Sequence, residues 1–249
     1  GTYTWGEAVL QDWCTGLGTY DNPYVIEDVI IDAMNSGCCL RIIDSLAYFT
    51  VRNSTFLNSG SSRGAVELIN SSYGTIYDCY FNDNYEGIYC ELSNYLTIER
   101  NNFKSSDYFS IRFAEFCDFN KIISNDIKNN AFGIQIVYSD NNTIKGNVIN
   151  NNQLALYFGY SNNNTVIYND LSNCGNIGLG FDGYCNYNSV SYNNLTNNDK
   201  GLWFHRYNKN NRWCWNNITS NSEEGISFET SNNNNNIFEN NNISSNNND

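Results

Sequence analysis

"NNTIKGNVINNN", residues 141–152, sets six asparagines around Ile144, Val148 and Ile149. Asparagine is a poor helix and strand former, so such a stretch met once would read as a loop. Recurrence decides the matter. "YLTIERNNF", "NNTIKGNVI", "NNTVIYNDL", "YNSVSYNNL" and "NNRWCWNNI" share an apolar residue, an asparagine three positions on, and a second apolar residue two further. The first apolar position runs Ile26, Val51, Ile76, Ile98, Ile122, Ile144, Val166, Val190, Trp213, Phe238. The second runs Ile31, Phe56, Phe81, Phe103, Ile127, Ile149, Leu171, Leu195, Ile218, Ile243. Steps of 22 to 25 residues, held over ten copies, are the mark of a solenoid.

Each repeat is too short for two helices, and its apolar residues alternate with polar ones. "GIYCEL", "SIRF", "GIQI", "GLGF", "GLWF" and "GISF" show that period of two. Three short strands per repeat, separated by Asn-, Gly- and Ser-rich corners, describe one coil of a parallel β-helix. The expected fold is therefore an all-β, single-stranded parallel β-helix of about ten coils of roughly 23 residues. It would span residues 23–249, behind an N-terminal cap or interaction segment at 1–22.

The asparagines then have a structural use. They recur at Asn101, Asn125, Asn147, Asn169, Asn193 and Asn216, and again at Asn120, Asn142, Asn164, Asn188 and Asn211. Rungs about 4.8 Å apart stack equivalent side chains, and each amide can bond the next. Asparagine also tolerates left-handed corner backbone. A further column is aromatic, Phe116, Tyr138, Tyr160, Tyr184 and Tyr207. It reads first as corner packing and second as a platform on which sugar rings could stack.

Composition narrows the function. Hydrophobic content of 41% with 15% aromatics is too high for a disordered chain. A net charge of −13 argues against nucleic acid and against an anionic membrane surface. There is no apolar run long enough to span a membrane, and "GTYTWGEAVLQ" is not an intact signal peptide. The acidity would suit Ca²⁺, but no spacing of ligands supports it, so no cofactor and no metal site are expected. Nine cysteines form no CxxC pair. Sequons at Asn53, Asn70, Asn141, Asn163, Asn194, Asn217 and Asn242 point to a secreted or cell-surface glycoprotein.

The repeated "NNTI--N-I-NN---GI-F" units resemble the right-handed parallel β-helix repeat superfamily over about residues 23–245. More narrowly they resemble its NosD-like group of carbohydrate-binding and sugar-hydrolase β-helices. The resemblance implies the fold, and a function among lyases, hydrolases, epimerases and adhesins. The copper-related role in that family would need clustered soft or imidazole ligands, which one histidine and scattered cysteines do not supply. The "GHG" and "RIK" motifs of polygalacturonases and the "DPHE" motif of alginate epimerases are absent.

Enzymes of this fold place acids and a basic group on the outer face of one sheet. Asp182, His205 and Glu229, 23 and 24 residues apart, should stack there, with Trp203 and Arg206 beside the histidine. This set is the candidate for lyase or glycoside-hydrolase chemistry. Tyr138, Tyr160, Tyr184, Trp203 and Tyr207 are the candidate sugar-binding residues. An acid–histidine ladder serving only solubility is the competing reading, and the sequence leans away from an enzyme.

The ends suggest a different role. Trp5, Val9 and Trp13 are spaced as on one helical face, and Cys14 could pair with Cys38 or Cys39 to tie a cap down. A β-helix end exposes unpaired backbone groups unless covered. Tyr3 and Trp5 at one end, with Ile237 and Ile243 at the other, could join molecules head to tail. The sequence therefore favours a structural or surface-interaction protein that associates with itself, and a polysaccharide-binding or polysaccharide-active module is the alternative.

Overall fold

The computed structural model describes residues 2–230 and 232–248. The repeat columns are its hydrogen-bonded registers. Ten parallel strands, from Tyr24–Glu27 to Ile237–Glu239, stack into a first sheet. They pair Ile26 with Val51, Val51 with Ile76, and so on to Trp213 with Phe238. A second face carries the other column from Ile31–Phe56 through Phe103–Ile127 to Ile218–Ile243. Single bridges at Asp170 and Asn194 continue it where the strands shorten. A third sheet of nine strands runs from Leu40–Ile43 to Glu224–Phe228. The chain is an all-β parallel β-solenoid of ten coils.

The inner residues of all three sheets form one continuous core. Phe56, Phe81 and Phe103 stack with centroids 5.2 and 4.6 Å apart, and Phe158, Phe181, Phe204 and Phe228 stack along the third sheet. Each of these rings except the half-exposed Phe228 is fully buried and contributes about 1.5–3 kcal/mol of transfer free energy. Like residues recur because each coil meets the same space as the one before.

The corners are held by side-chain ladders. At the first, Asn125 Oδ1 accepts the Asn101 backbone N–H at 3.0 Å, while Asn125 Nδ2 donates to Asn147 Oδ1 and to the Ile98 carbonyl. This unit repeats through Asn147, Asn169, Asn193 and Asn216 to Asn241. The second predicted column, Asn120 to Asn211, hands on backbone N–H groups in the same way. Two more ladders were not read from the sequence. One passes through Ser106, Asn130, Asn152, Cys174, Asn198, Asn221 and Asn246, and the other through Ser93, Cys117, Ser139, Ser161, Cys185 and Asn208. Gly201 explains the "GL" and "GI" pairs. A Cβ there would lie 2.7 Å from Asn221 Nδ2 and 2.8 Å from the Gly225 carbonyl, so the third ladder needs a glycine at that place.

The left-handed backbone falls one residue away from where the sequence suggested. Asn101, Asn125 and Asn147 do not adopt it; the residues before them do, with φ of 52° at Arg100, 54° at Ser124 and 64° at Gly146. The corner column Phe116, Tyr138, Tyr160, Tyr184 and Tyr207 has the same role, with φ between 48° and 56°. The ladder residue then turns its own polar side chain inward.

A cap closes the N-terminal end. Thr4 and Glu7 form a capping box on the one-turn helix Trp5–Ala8, and Cys14–Thr15 pairs antiparallel to Tyr24–Glu27. Trp5 stacks on Tyr24 at 4.5 Å and on Phe49 at 6.0 Å, and its Nε1 donates to Ser45 Oγ at 2.9 Å. Trp13 lies beyond the helix, edge-on to Tyr3. Trp5 thus covers its own first coil and is not free to cover a neighbour's. Ile237 and Ile243 are exposed on the last coil.

The expected tie of Cys14 to Cys38 or Cys39 is not made, and all nine cysteines are free thiols. Cys14 is sealed under the cap, while the Cys39 thiol donates to the Leu57 carbonyl. Cys79, Cys117, Cys174 and Cys185 occupy ladder positions, each donating to the carbonyl two residues earlier. A thiol there substitutes for serine or asparagine.

Candidate functional site

On the third sheet's outer face the residues change from coil to coil. Two columns point outward there. One runs Tyr89, Arg112, Gln135, Tyr157, Gly180, Trp203, Ser227, and the other includes Val137, Gly159 and Asp182. His205 and Glu229 follow Phe204 and Phe228, which pair in the sheet, so the predicted acid–histidine–acid set stands on three successive rungs.

The set is joined on one side. His205 Nδ1 lies 2.6 Å from Asp182 Oδ1, and the Tyr157 hydroxyl donates to Asp182 Oδ2 at 2.9 Å. Arg206 Nε stands 3.9 Å from the same carboxylate. Burial and the neighbouring Asp182 carboxylate raise the Tyr157 phenol, so it stays protonated and keeps donating. Held through Nδ1, His205 leaves Nε2 as the ring atom available to a ligand.

Glu229 is turned to the other side. It pairs with Lys200 Nζ at 2.8 Å, and Lys200 also approaches Glu224 at 3.9 Å. The bonds from Lys200 and from the Trp203 indole hold the Glu229 carboxyl below its ordinary value. Asp182 and Glu229 therefore do not form a carboxylate pair around His205. They are separate anchors, one for the imidazole and one for Lys200.

Trp203 stacks on His205 with centroids 5.4 Å apart and planes 15° from parallel. Gly180 lies beneath it. A Cβ there would lie 3.2 Å from Trp203 and 3.5 Å from Tyr157, so both rings lean over bare backbone. Tyr157, Lys200 and Gly180 were missed in the sequence. Aligning the third residue of "GIQI", "ALYF", "GLGF" and "GLWF" would have shown Tyr157 and Gly180 in the Trp203 column.

The tyrosine column is built differently from a sugar platform. Tyr138, Tyr160, Tyr184 and Tyr207 stack on one another at 4.9, 5.8 and 4.9 Å. Their faces are occupied by each other, which leaves edges and hydroxyls outward. Among the sequons, Asn53, Asn70, Asn141, Asn163 and Asn242 are exposed; Asn70 donates its amide to Asp44, and Asn194, Asn217 and Asn242 donate theirs to Asp170, Asn194 and Asn217.

By fold, the chain is a parallel β-helix whose outer-face chemistry is confined to particular coils. It belongs to the NosD family, described as a periplasmic copper-binding protein, whose profile matches residues 15–183 and 113–249. No curated protein matches the chain. Solved structures do. The periplasmic alginate epimerase AlgG is 14% identical with a TM-score of 0.63, over 89% of this chain and 78% of that one. The tailspike protein of E. coli bacteriophage HK620, a mutant in complex with a pentasaccharide, is 13% identical with a TM-score of 0.62, over 82% and 45%. The mannuronan C-5 epimerase AlgE4 A-module of Azotobacter vinelandii is 10% identical with a TM-score of 0.53, over 90% and 86%. At these identities the likeness concerns the fold.

The residues do not fit the copper of the family description. Among the described residues no three His, Cys, Asp or Glu side chains gather as a metal site. Burial pushes the thiols of Cys79, Cys117 and Cys185 up to about 12 and that of Cys174 to about 11, away from the thiolate a soft metal needs. No helix among the described residues is long and apolar enough to cross a membrane.

Proposed function

We propose that this chain binds a polysaccharide along the outer face of its third sheet, with the Asp182–His205–Tyr157 cluster and Trp203 as its principal contact. The observation that carries the reading is the cluster itself. A carboxylate orients a partly exposed imidazole through one ring nitrogen, beside an indole and a tyrosine that lean over a glycine. Sugars are held by such combinations of fixed polar groups and flat apolar surface. The likeness in fold to an alginate epimerase, a mannuronan C-5 epimerase and a tailspike seen with a pentasaccharide supports this class of ligand. The family's periplasmic description supports a place of action outside the cytoplasm.

Titration of the purified chain with a broad polysaccharide panel tests the proposal. Binding that Trp203→Ala and His205→Ala each weaken tenfold or more, with folding intact, is expected. A panel that yields no ligand would sink it.

The histidine–aspartate pair carries a second reading, a lyase or hydrolase step in which His205 Nε2 moves a proton. Incubation with the polysaccharide that binds, followed by assay for new reducing ends and unsaturated sugars, tests it; unchanged polymer argues for binding alone. The self-association suggested by the sequence gains no support from the ends, because Trp5 is engaged within its own coil.

A further inference from the structure

Toward the N-terminal end of the same face, a groove of ≈ 450 Å³ opens over the strands Gly64–Ile69, Glu86–Glu91 and Phe109–Phe113. Its floor contains Glu67 and Glu86, each only 3% exposed. Glu67 is clamped by Arg41, which donates Nε at 2.5 Å to Oε2, and accepts the Gly64 N–H at 3.2 Å. Arg63 stands 3.8 Å away. Glu86 meets Arg112 Nη1 at 3.1 Å. The Arg112 guanidinium also bonds Gln135 and lies over the rings of Tyr89 and Tyr108, 5.6 and 5.7 Å from their centroids. Tyr85 stacks on Tyr108, and the Tyr89 hydroxyl donates to Glu91.

The fold does not require this cluster. The position of Glu86 is taken by Phe109, Phe132, Leu154 and Ile177 on the next four rungs. That of Glu67 is taken by Tyr89, Arg112, Gln135, Tyr157 and Gly180. Burying a carboxylate costs several kcal/mol even when a cation offsets part of it. Burial raises the Glu86 carboxyl above its ordinary value despite Arg112. Two buried acids with arginines and tyrosine rings thus stand in a groove that the repeat itself does not call for.

Arg63 and Arg112 line the groove against Glu67, Glu86 and Glu91, and Arg41 pairs with Glu67 from beside it, so the surrounding charges nearly cancel and leave no cationic excess. In a chain of net charge −13 such a groove suits an uncharged, hydroxyl-rich ligand better than an anion. Arg112 and Trp203 lie in one column, separated by Gln135, Tyr157 and Gly180. Four rungs put them about 19 Å apart, more than one sugar ring can bridge.

We propose that the Glu67–Glu86–Arg112 groove is a second sugar subsite, and that one neutral polysaccharide strand lies along the coil axis across it and the His205 cluster. Arg112 and Glu86 would take adjacent hydroxyls, and Tyr85, Tyr89 and Tyr108 would flank the ring. This rests on the polysaccharide reading above and adds to it the ligand's charge and its length.

The test is calorimetric titration with length series of neutral gluco-, manno-, xylo- and galacto-oligosaccharides, and with oligogalacturonates. Affinity should rise once an oligomer is long enough to reach both clusters. Glu86→Gln and Arg112→Lys should each remove about tenfold of that gain, the loss of one charge-assisted contact, and leave short oligomers unaffected. Wild-type affinity of both variants at every length would overturn the second subsite and leave the His205 reading standing. Tighter binding of oligogalacturonates than of any neutral series would overturn the neutral ligand. No binding of any probe to the wild type would bring down both readings. Circular dichroism checks each fold, and should Glu86→Gln unfold, Arg112→Lys and Tyr85→Ala decide the matter.

Discussion

The first asparagine corner and the outer face of the third sheet are built on the same rungs by opposite rules. At the corner, Asn101, Asn125, Asn147, Asn169, Asn193, Asn216 and Asn241 repeat one bonding unit without a break. On the outer face, the column through Arg112 and Trp203 changes residue at every coil. The corner solves one problem, the buried N–H groups of a tight bend, and the solution serves every coil. The face has no such common problem. In a solenoid, repetition marks what the fold needs, and departure from it marks where a ligand is to be sought.

Breaking the corner should have the largest effect. Asn147→Leu leaves the Asn125 amide, the Asn125 backbone N–H and the Ile122 carbonyl without their partner. A loss of about 3–6 kcal/mol is expected in denaturant unfolding. The face should behave in the reverse sense. Trp203→Ala forfeits the stack on His205, worth about 1 kcal/mol of stability, while polysaccharide affinity falls tenfold or more. Equal losses of stability in the two variants would erase the distinction.

Acidity sharpens the contrast within the face. Glu86 is raised by burial, so its contribution to stability is present below the unfolded carboxyl value and lost as pH rises through the folded one. Glu229 is lowered, by Lys200 first and Trp203 second, so its contribution is present above the unfolded value and lost as pH falls through the folded one. Melting temperature followed across the acidic range should therefore change slope in opposite directions for Glu86→Gln and Glu229→Gln. Slopes of the same sign would show that the two carboxyls share one environment. The smallest effect is expected at Tyr184→Gly. Relief of φ 53° offsets the lost stacking on Tyr160 and Tyr207, and stability should move by no more than about 1 kcal/mol.

What the sequence disclosed follows the same division. Ile26 to Phe238 could be aligned in register because each residue meets the same neighbour one coil away. The ladder through Asn130 and Asn152 escaped notice because serine and cysteine interrupt it at Ser106 and Cys174. Cys14 suggested a disulfide because a cysteine in a short cap resembles a staple; the structure spends it as an apolar residue instead. At the face, Asp182 and His205 were visible from their spacing, but the bond from Tyr157 to Asp182 required the rung before. Glu67, Glu86 and Arg112 belong to three different coils; Glu67 and Arg112 share a column whose residue changes at every rung, and Glu86 stands outside it, so no repeated motif joins them. Only the winding brings them together.

Placing thiols in ladder positions also makes the folded chain nearly inert to oxidants. Cys79, Cys117, Cys174 and Cys185 are buried, and burial pushes all four to about 11 or 12, so the reactive thiolate is scarcely populated. Neighbouring coils hold their sulfurs on separate corners, each bonded to its own backbone carbonyl. Cys38 and Cys39, side by side and only half-buried, are the accessible exception. Burial raises both of these as well, Cys39 to about 11, so an alkylating reagent added to the native protein should react slowly and first at Cys38.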